Sequence, residues 1–390
     1  MNFKIKSILI LVILFSSCRP NSKNDSTSFS IDLTKSEISN LSDFVDTIEY
    51  VLLKTSDNQN LVSPHSVKFW ENSIYVQDHS TNELFVFNNF GTVDKVHQPT
   101  GRGPNEYFQI QDFHINLEGN LTLHDPILSK IQTYGQDGFL INEFKTSIRS
   151  QNFYDTKDFT LFFMSYSTEL REHNFLRREK NSGAYTEFIK IPQEKSNLTK
   201  HDSHLGFIVN PYKNEIIFTP HSSSEVAFFD QKNGNLIRSI NFNFGKHSPP
   251  STIWKNNLKI LNEEIAQKSY VKEIGAFFPF QHHYLMYVRQ GTKDRHYILL
   301  NNEFEVVRQL ISPTNDIDNI ELNTLPWSHT QTDIVYLKRS KDILDNYRNL
   351  QEHNELSKTN SNIHEFIRLH QELLDDDMWV IVKYKLKQEL

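Results

Sequence analysis

Six short segments of this chain share one pattern: a few alternating apolar residues, a polar turn usually holding Asn or Gly, and a second apolar strand. They begin at Leu84, Ile131, Phe175, Val226, Tyr297 and Val380. The first two copies are 47 residues apart and align without a gap, 78–93 against 125–140. A fixed internal period of this kind marks a stacked or circular repeat. The later intervals are 44, 51, 71 and 83 residues, and the two long ones become ordinary if about 24 and 36 residues of inserted helix are removed. Helix-like sequence stands in both places, at 252–272 and 338–374. The pattern predicts an all-β chain, a six-bladed β-propeller of four-stranded blades, closed by an N-terminal strand and carrying helical insertions in the late blades.

Period-two alternation predicts the strands of the first blade at 65–69, 73–76, 84–87 and 92–96, and those of the second at 113–117, 121–123, 131–134 and 139–144. Asn88-Asn89, Gly119-Asn120, Asp137-Gly138 and Asn233-Gly234 fall where tight reversals need residues tolerant of positive φ. The last blade is one strand short, because only four residues follow 380–386. The β-rich segment 44–53, ahead of the first blade, is expected to supply the missing outer strand and to tie the ends of the ring together. Within 338–374, Ile343, Leu344, Tyr347 and Leu350, then Ile363, Phe366, Ile367 and Leu374, recur at helical spacing, which predicts an amphipathic helical hairpin over one end of the ring.

The N-terminus changes the picture from shape to address. Lys4 and Lys6 precede an apolar run from Ile8 to Phe15 that is too short to span a membrane and fits a secretory leader. Small residues then lead into Cys18, the only cysteine of the chain, as in the cleavage box of bacterial lipoproteins. The expected organisation is a lipoprotein signal peptide at 1–17, a lipidated Cys18 with a flexible tether to 40, and the propeller at 41–390. An ordinary signal peptide with an incidental cysteine, or an uncleaved anchor, is the plainer alternative. No disulfide is possible within the chain, so the core must hold the fold, and 29 Phe are available for it. Without Lys4 and Lys6, 39 basic residues face 48 acidic ones, which gives no electrostatic footprint for nucleic acid.

At 101–107 the chain reads GRGPNEY. Gly101 and Gly103 open backbone conformations closed to other residues, Pro104 fixes a turn, and Arg102 and Glu106 are close enough to pair. The segment is either a staple between blades, with Glu106 satisfying backbone amides and Tyr107 packing, or the rim of a pocket where Arg102 pairs with an anionic group. Together with the opening strand VDTIEYVLLKT at 45–55, the run at 116–140 and the closing VIVKYKLK at 380–387, this motif resembles the six-bladed propeller lipoproteins of Bacteroidetes, whose repeats are related to the NHL type. The resemblance implies the fold and a place in the cell envelope, in the outer membrane; it implies no common reaction. Asp377-Met378-Trp379 departs from the usual Asn-Pro before the closing strand.

Asp78 and Asp125 hold equivalent places after the second strands of their blades and are expected to cap the next turn rather than to bind calcium. Of the 17 histidines, His65, His114 and His221, with the pair His282-His283 and with His201 and His204, fall near inner strands or adjoining loops, but none has a tight ligand spacing, so no metal and no cofactor is implied. His282 and His283 are expected in one strand, facing opposite ways. No nucleophile elbow or phosphate loop is present in the sequence. The candidate ligand-binding residues are Arg102, Asn105, Glu106, His65, His114 and His221. Two functions stay open: a binding scaffold for a glycan, small molecule or partner protein, linked to nutrient or glycan uptake, or a lyase or hydrolase acting on a saccharide or lactone at the channel mouth. Three or more converging His, Asp and Glu side chains at that mouth would favour the enzyme.

Overall fold

The computed structural model describes residues 26–388 apart from 57–58, 99–100, 104–105, 169–170, 197, 199–204, 323 and 357–360. Two strands precede the blades, β1 (Ser26–Ser30) and β2 (Val45–Leu52). Blade one holds β3 (Pro64–Trp70), β4 (Ser73–Asp78), β5 (Glu83–Asn88) and β6 (Val93–His97). Blade two holds β7 (Asp112–Ile115), β8 (Leu121–Asp125), β9 (Lys130–Tyr134) and β10 (Leu140–Lys145). Blade three holds β11 (Asn152–Asp155), β12 (Phe159–Phe163), β13 (His173–Glu179) and β14 (Tyr185–Lys190). Blade four holds β15 (Ile208–Asn210), β16 (Glu215–Phe218), β17 (Glu225–Asp230) and β18 (Leu236–Asn243). Blade five holds β19 (Val271–Phe280), β20 (His283–Gln290), β21 (Asp294–Leu300) and β22 (Val306–Ile311). Blade six joins β23 (Ser328–His329), β24 (Asp333–Arg339) and β25 (Trp379–Leu386) to β2, which pairs antiparallel with β25 and closes the ring.

The six segments read from the sequence are the third strands of the six sheets, β5, β9, β13, β17, β21 and β25. Middle strands of a propeller are covered on both sides by the neighbouring blades, which is why the second and third strands are the most apolar. All five residues of β12 (FTLFF) are buried, whereas the outer strand β6 is buried at none of its positions. Phenylalanine fills these seams. Between blades three and four, Phe163, Phe175, Phe207 and Phe218 form one aromatic cluster with centroids as close as 4.5 Å.

In an antiparallel meander, alternate connections lie at opposite ends. The turns joining first to second and third to fourth strands form one face of the ring, the lower face. The upper face carries the connections between blades and those joining second to third strands. All three helices, α1 (Leu258–Lys268), α2 (Ser340–Glu352) and α3 (Asn362–Leu374), belong to the upper face, since α1 follows β18 and the α2–α3 hairpin follows β24. The hairpin leans on the closing strand. Phe366 packs on Tyr50 with centroids 5.2 Å apart, and the Asn362 side chain donates to the Ile48 carbonyl at 2.7 Å. Seven of its eight expected apolar positions are buried, and Tyr347 is partly so.

The expected tether is a correction. Ser26–Ser30 runs parallel to β18 as a fifth strand of blade four, and Ile31 and Leu33 are buried in the core. The chain then bridges to blade five at Glu37–Leu310 before entering blade six. The folded domain therefore includes Ser26–Ser30 and does not start near Leu41, because backbone pairing and two apolar anchors offset the cost of ordering a polar segment. His282 and His283 also depart from expectation, since His282 lies in the turn between β19 and β20. The leader, Cys18, His201 and His204 lie outside the described residues.

Candidate functional site at the lower mouth of the channel

Two aspartates of the repeat fix the upper face of the first blades. Asp78 is fully buried, and its carboxylate accepts four backbone N–H groups, from Val62 at 2.5 Å, Ser63 at 3.0 Å, Ser80 at 2.8 Å and Thr81 at 3.1 Å. Asp125 does the same with Phe108 at 2.7 Å, Gln109 at 3.2 Å, and Ile127 and Leu128 at 2.9 Å each. Each caps its own turn, as the sequence suggests, and also clamps the loop arriving from the preceding blade. One residue earlier, Gln77 donates to the Ile110 carbonyl at 2.7 Å and His124 Nε2 to the Ile148 carbonyl at 3.2 Å, so each blade is tied to the next.

The GRGPNEY loop has the geometry of a staple. Glu106 Oε2 accepts from Gly103 N at 2.5 Å and lies so close to the glycines that a Cβ on Gly101 would stand 2.7 Å from it. Tyr107 is buried between blades one and two. Arg102 is exposed, its guanidinium 5.0 Å from the Phe108 ring centre, and Asn105 lies outside the described residues. The candidate residues do not converge. Arg102, Glu106, His65 and His221 belong to the upper face of blades one and four, with His65 near His79 and with His221 Nε2 3.0 Å from Ser165 Oγ. His114 alone stands low in the channel.

There the inner strands build a cleft. Lys68 on β3 donates to Asp112 Oδ1 on β7 at 2.9 Å and to the Phe113 carbonyl, while Asp112 Oδ2 accepts from Phe153 N on β11 at 3.1 Å. This chain of contacts locks blades one, two and three around the axis. Below it, the ring of His114 packs on Tyr154 with centroids 4.5 Å apart. Burial, helped by the Lys68 and Lys180 charges, holds the imidazole of His114 down at about 3, so it is neutral at any physiological pH. Burial also raises the Tyr154 hydroxyl, and Gln231 hydrogen-bonds it. Asp155 is raised by burial yet engaged by Lys180 Nζ at 2.8 Å and Thr160 Oγ1 at 2.6 Å.

The cleft has a volume of about 490 Å³ and opens on the lower face. Blade two contributes His114, Asn116 and Leu117, blade three Tyr154 to Asp158, and blade four Val209, Gln231 and Lys232. A smaller cavity of about 160 Å³ shares His114 with it and reaches up the channel past Lys68, Phe207 and His329. The arrangement offers amide, hydroxyl, ammonium and carboxylate groups beside the buried Tyr154 ring and the partly buried His114 ring. Among the described residues, no three His, Cys, Asp or Glu side chains are grouped to hold a metal ion. Of this site the sequence singled out His114 alone; apart from Tyr154 and Asp155 on β11, its other polar members sit in turns, where such residues are expected for turn chemistry.

A sequence model of a family described as 6-bladed beta-propeller, DUF5128, matches residues 19–337. No curated protein matches the chain. Among solved structures, an exported protein of Bacteroides fragilis, itself described as putative, superposes with a TM-score of 0.67 at 14% identity, covering 93% of this chain and 99% of that one. A member of the DUF4221 family from Bacteroides vulgatus gives 0.50 at 10% identity, over 88% and 97% of the two chains. At these identities the likeness shows the fold. A catalytically inactive virginiamycin B lyase of Staphylococcus aureus with quinupristin reaches only 0.42 at 12% identity, over 72% and 78%, and carries no argument about chemistry.

Proposed function

The chain belongs to the DUF5128 family of six-bladed β-propellers, and from that premise we propose that it is an exported binding protein of the cell envelope, held in the outer membrane by lipid on Cys18 and taking a saccharide in the channel cleft. The observation that carries the ligand class is the lining of the cleft. Asn116, Asp155, Thr156, Lys157, Asp158, Gln231 and Lys232 place donors and acceptors of both charges around one cavity of small-molecule size. A polyhydroxylated, uncharged ligand matches that mixture, since every hydroxyl can both donate and accept. With His114 neutral and the buried carboxylates already engaged, the cleft is equipped to hold rather than to cleave. A role beside a nutrient or glycan uptake system follows from the address and the ligand class together.

Calorimetric titration of the purified protein with a panel of neutral oligosaccharides tests the reading. At least one should bind, and Lys232→Ala and Asp158→Ala should each weaken it about tenfold, near 1.4 kcal/mol, without shifting the melting temperature. Binding that is indifferent to both substitutions would reject the cleft. The address is tested separately: labelled palmitate should enter the wild type and not Cys18→Ser.

A further inference from the structure

The direction of β1 sets where the chain enters the ring. β18 rises from the lower face to the upper one, and β1 pairs with it in parallel, Ser26 opposite Ser239 and Ser30 opposite Asn243. At Ser26 the strand thus points back towards the lower edge of blade four, about 10 Å away at the rise of a β-strand. Cys18 precedes Ser26 by eight residues, which reach about 29 Å at most when fully extended. A lipid on Cys18 therefore holds the bilayer within about 29 Å of Ser26, and the direction of β1 makes the lower rim the straighter way to it.

Apolar side chains also protrude from the lower face. Phe90, Leu117 and Phe139 are 77%, 85% and 75% exposed, in the turns or at the turn edges of blades one and two. Their exposure is built in. In each turn an Asn or Asp side chain, Asn88, Asn116 or Asp137, accepts the backbone N–H two residues on, from Phe90, Glu118 and Phe139, which fixes the loop and turns the apolar residue outward. The upper face exposes apolar side chains as well, among them Ile127, Leu369 and Phe108 at 52%, 58% and 43%, but none of these is as exposed as the three lower tips, and the Arg102 guanidinium lies against Phe108.

We propose that the lower face docks on the bilayer, with Phe90, Leu117 and Phe139 seated in the headgroup region and the upper face turned away from it. The occupant of these tips is lipid, because the tether delivers the bilayer to this face and aromatic or aliphatic tips on rigid turns partition into its interface. Leu117 is at once one of the tips and a lip of the cleft, so a saccharide carried on a membrane lipid would meet the cleft directly. The inference rests on the lipid attachment proposed above and is independent of the ligand.

The test uses the full lipidated protein in vesicles of phosphatidylethanolamine and phosphatidylglycerol. Single cysteines are introduced by Phe90→Cys, Leu117→Cys and Phe139→Cys, and by Asp376→Cys on the upper face; each is labelled with bimane, since lipid occupies the thiol of Cys18. Lipids carrying a spin label near the headgroup should quench the three lower labels at least twofold and leave the one at position 376 unchanged. Equal quenching at position 376, or none at the lower positions while the protein still floats with vesicles, would overturn the docking and leave the anchor standing. Failure of the wild type to float would overturn the anchor and the docking with it.

Discussion

Blades one and two are joined to their neighbours by side chains that the repeat itself carries, whereas blades four to six are laced by a segment from outside the repeat. In the first pair, Asp78 and Asp125 each bind four backbone N–H groups, and Gln77 and His124 reach to the next blade. At the aspartate position blade three has Met164 and blade six Ser340. On the laced side the N-terminal segment pairs with β18, bridges to Leu310 and ends as β2 in blade six, covered by α3. The difference shows two ways to resist opening of a ring: short-range staples copied with the repeat, and one long-range strap that makes three blades depend on each other.

The strongest way to break the comparison is to remove the strap where it closes the ring. Deleting Val45–Leu52 takes away the whole β2–β25 ladder and uncovers both α3 and the third strand of blade six. The expected outcome is loss of the cooperative melt of the entire domain, blades one and two included. A truncated protein that melts at the wild-type temperature would show that the staples alone suffice.

Milder changes separate the halves. Asp125→Ala leaves four backbone donors without their acceptor and should cost about 3 kcal/mol or more, by the usual penalty for buried unsatisfied groups. Removing residues 26–35 exposes what Ile31 and Leu33 cover but frees ten residues from ordering, so the net loss should be smaller than that of Asp125→Ala. Hydrogen exchange would distinguish them: faster exchange around Phe108 and Gln109 in the first variant, and along β18 and β22 in the second. Uniform acceleration in both would mean that the two halves are not separate.

His124 sharpens the contrast within the stapled half. Burial holds its imidazole down to about 4, against about 6.5 in the unfolded chain, so the unfolded state takes the proton first as pH falls. The stability owed to neutral His124 is complete above about pH 6.5 and is lost progressively towards pH 4. Gln77 makes the same bond in blade one without titrating. His124→Gln should therefore match the wild type at pH 7 and exceed it by about 1–2 kcal/mol at pH 5 in urea melts. An unchanged difference between the two pH values would remove His124 from the account.

What the sequence could disclose follows the same division. The third strands and the helical hairpin were legible because burial on both faces, or on one helical face, forces apolar periodicity on residues such as Phe85, Phe175 and Ile363. The strap was not, since β1 (STSFS) attaches through its backbone and carries a single apolar residue, Phe29. The closing strand β2 announced itself only because blade six was visibly short. The cleft was hidden for another reason. His114, Tyr154 and Gln231 lie on three hairpins about 40 or more residues apart, and Thr156, Lys157 and Asp158 are ordinary turn residues until the ring brings them to one mouth.

The smallest expected effects test whether the GRGPNEY loop belongs wholly to the stapled half. Asp125 clamps the loop from behind through Phe108 N and Gln109 N, and Glu106 folds its front onto Gly101 and Gly103. Glu106 is only partly buried, so Glu106→Ala should cost about 1 kcal/mol, the ordinary net value of such a bond. Arg102 makes no structural demand of that kind, since its guanidinium rests on an exposed Phe108 ring, and an exposed cation–π contact contributes roughly 0.5 kcal/mol. Arg102→Ala should thus leave the melting temperature almost unmoved while Glu106→Ala lowers it by a few degrees. Equal losses from the two would show that Arg102 and Glu106 act as a pair in holding the loop, and would leave no arginine free on that rim to meet a ligand.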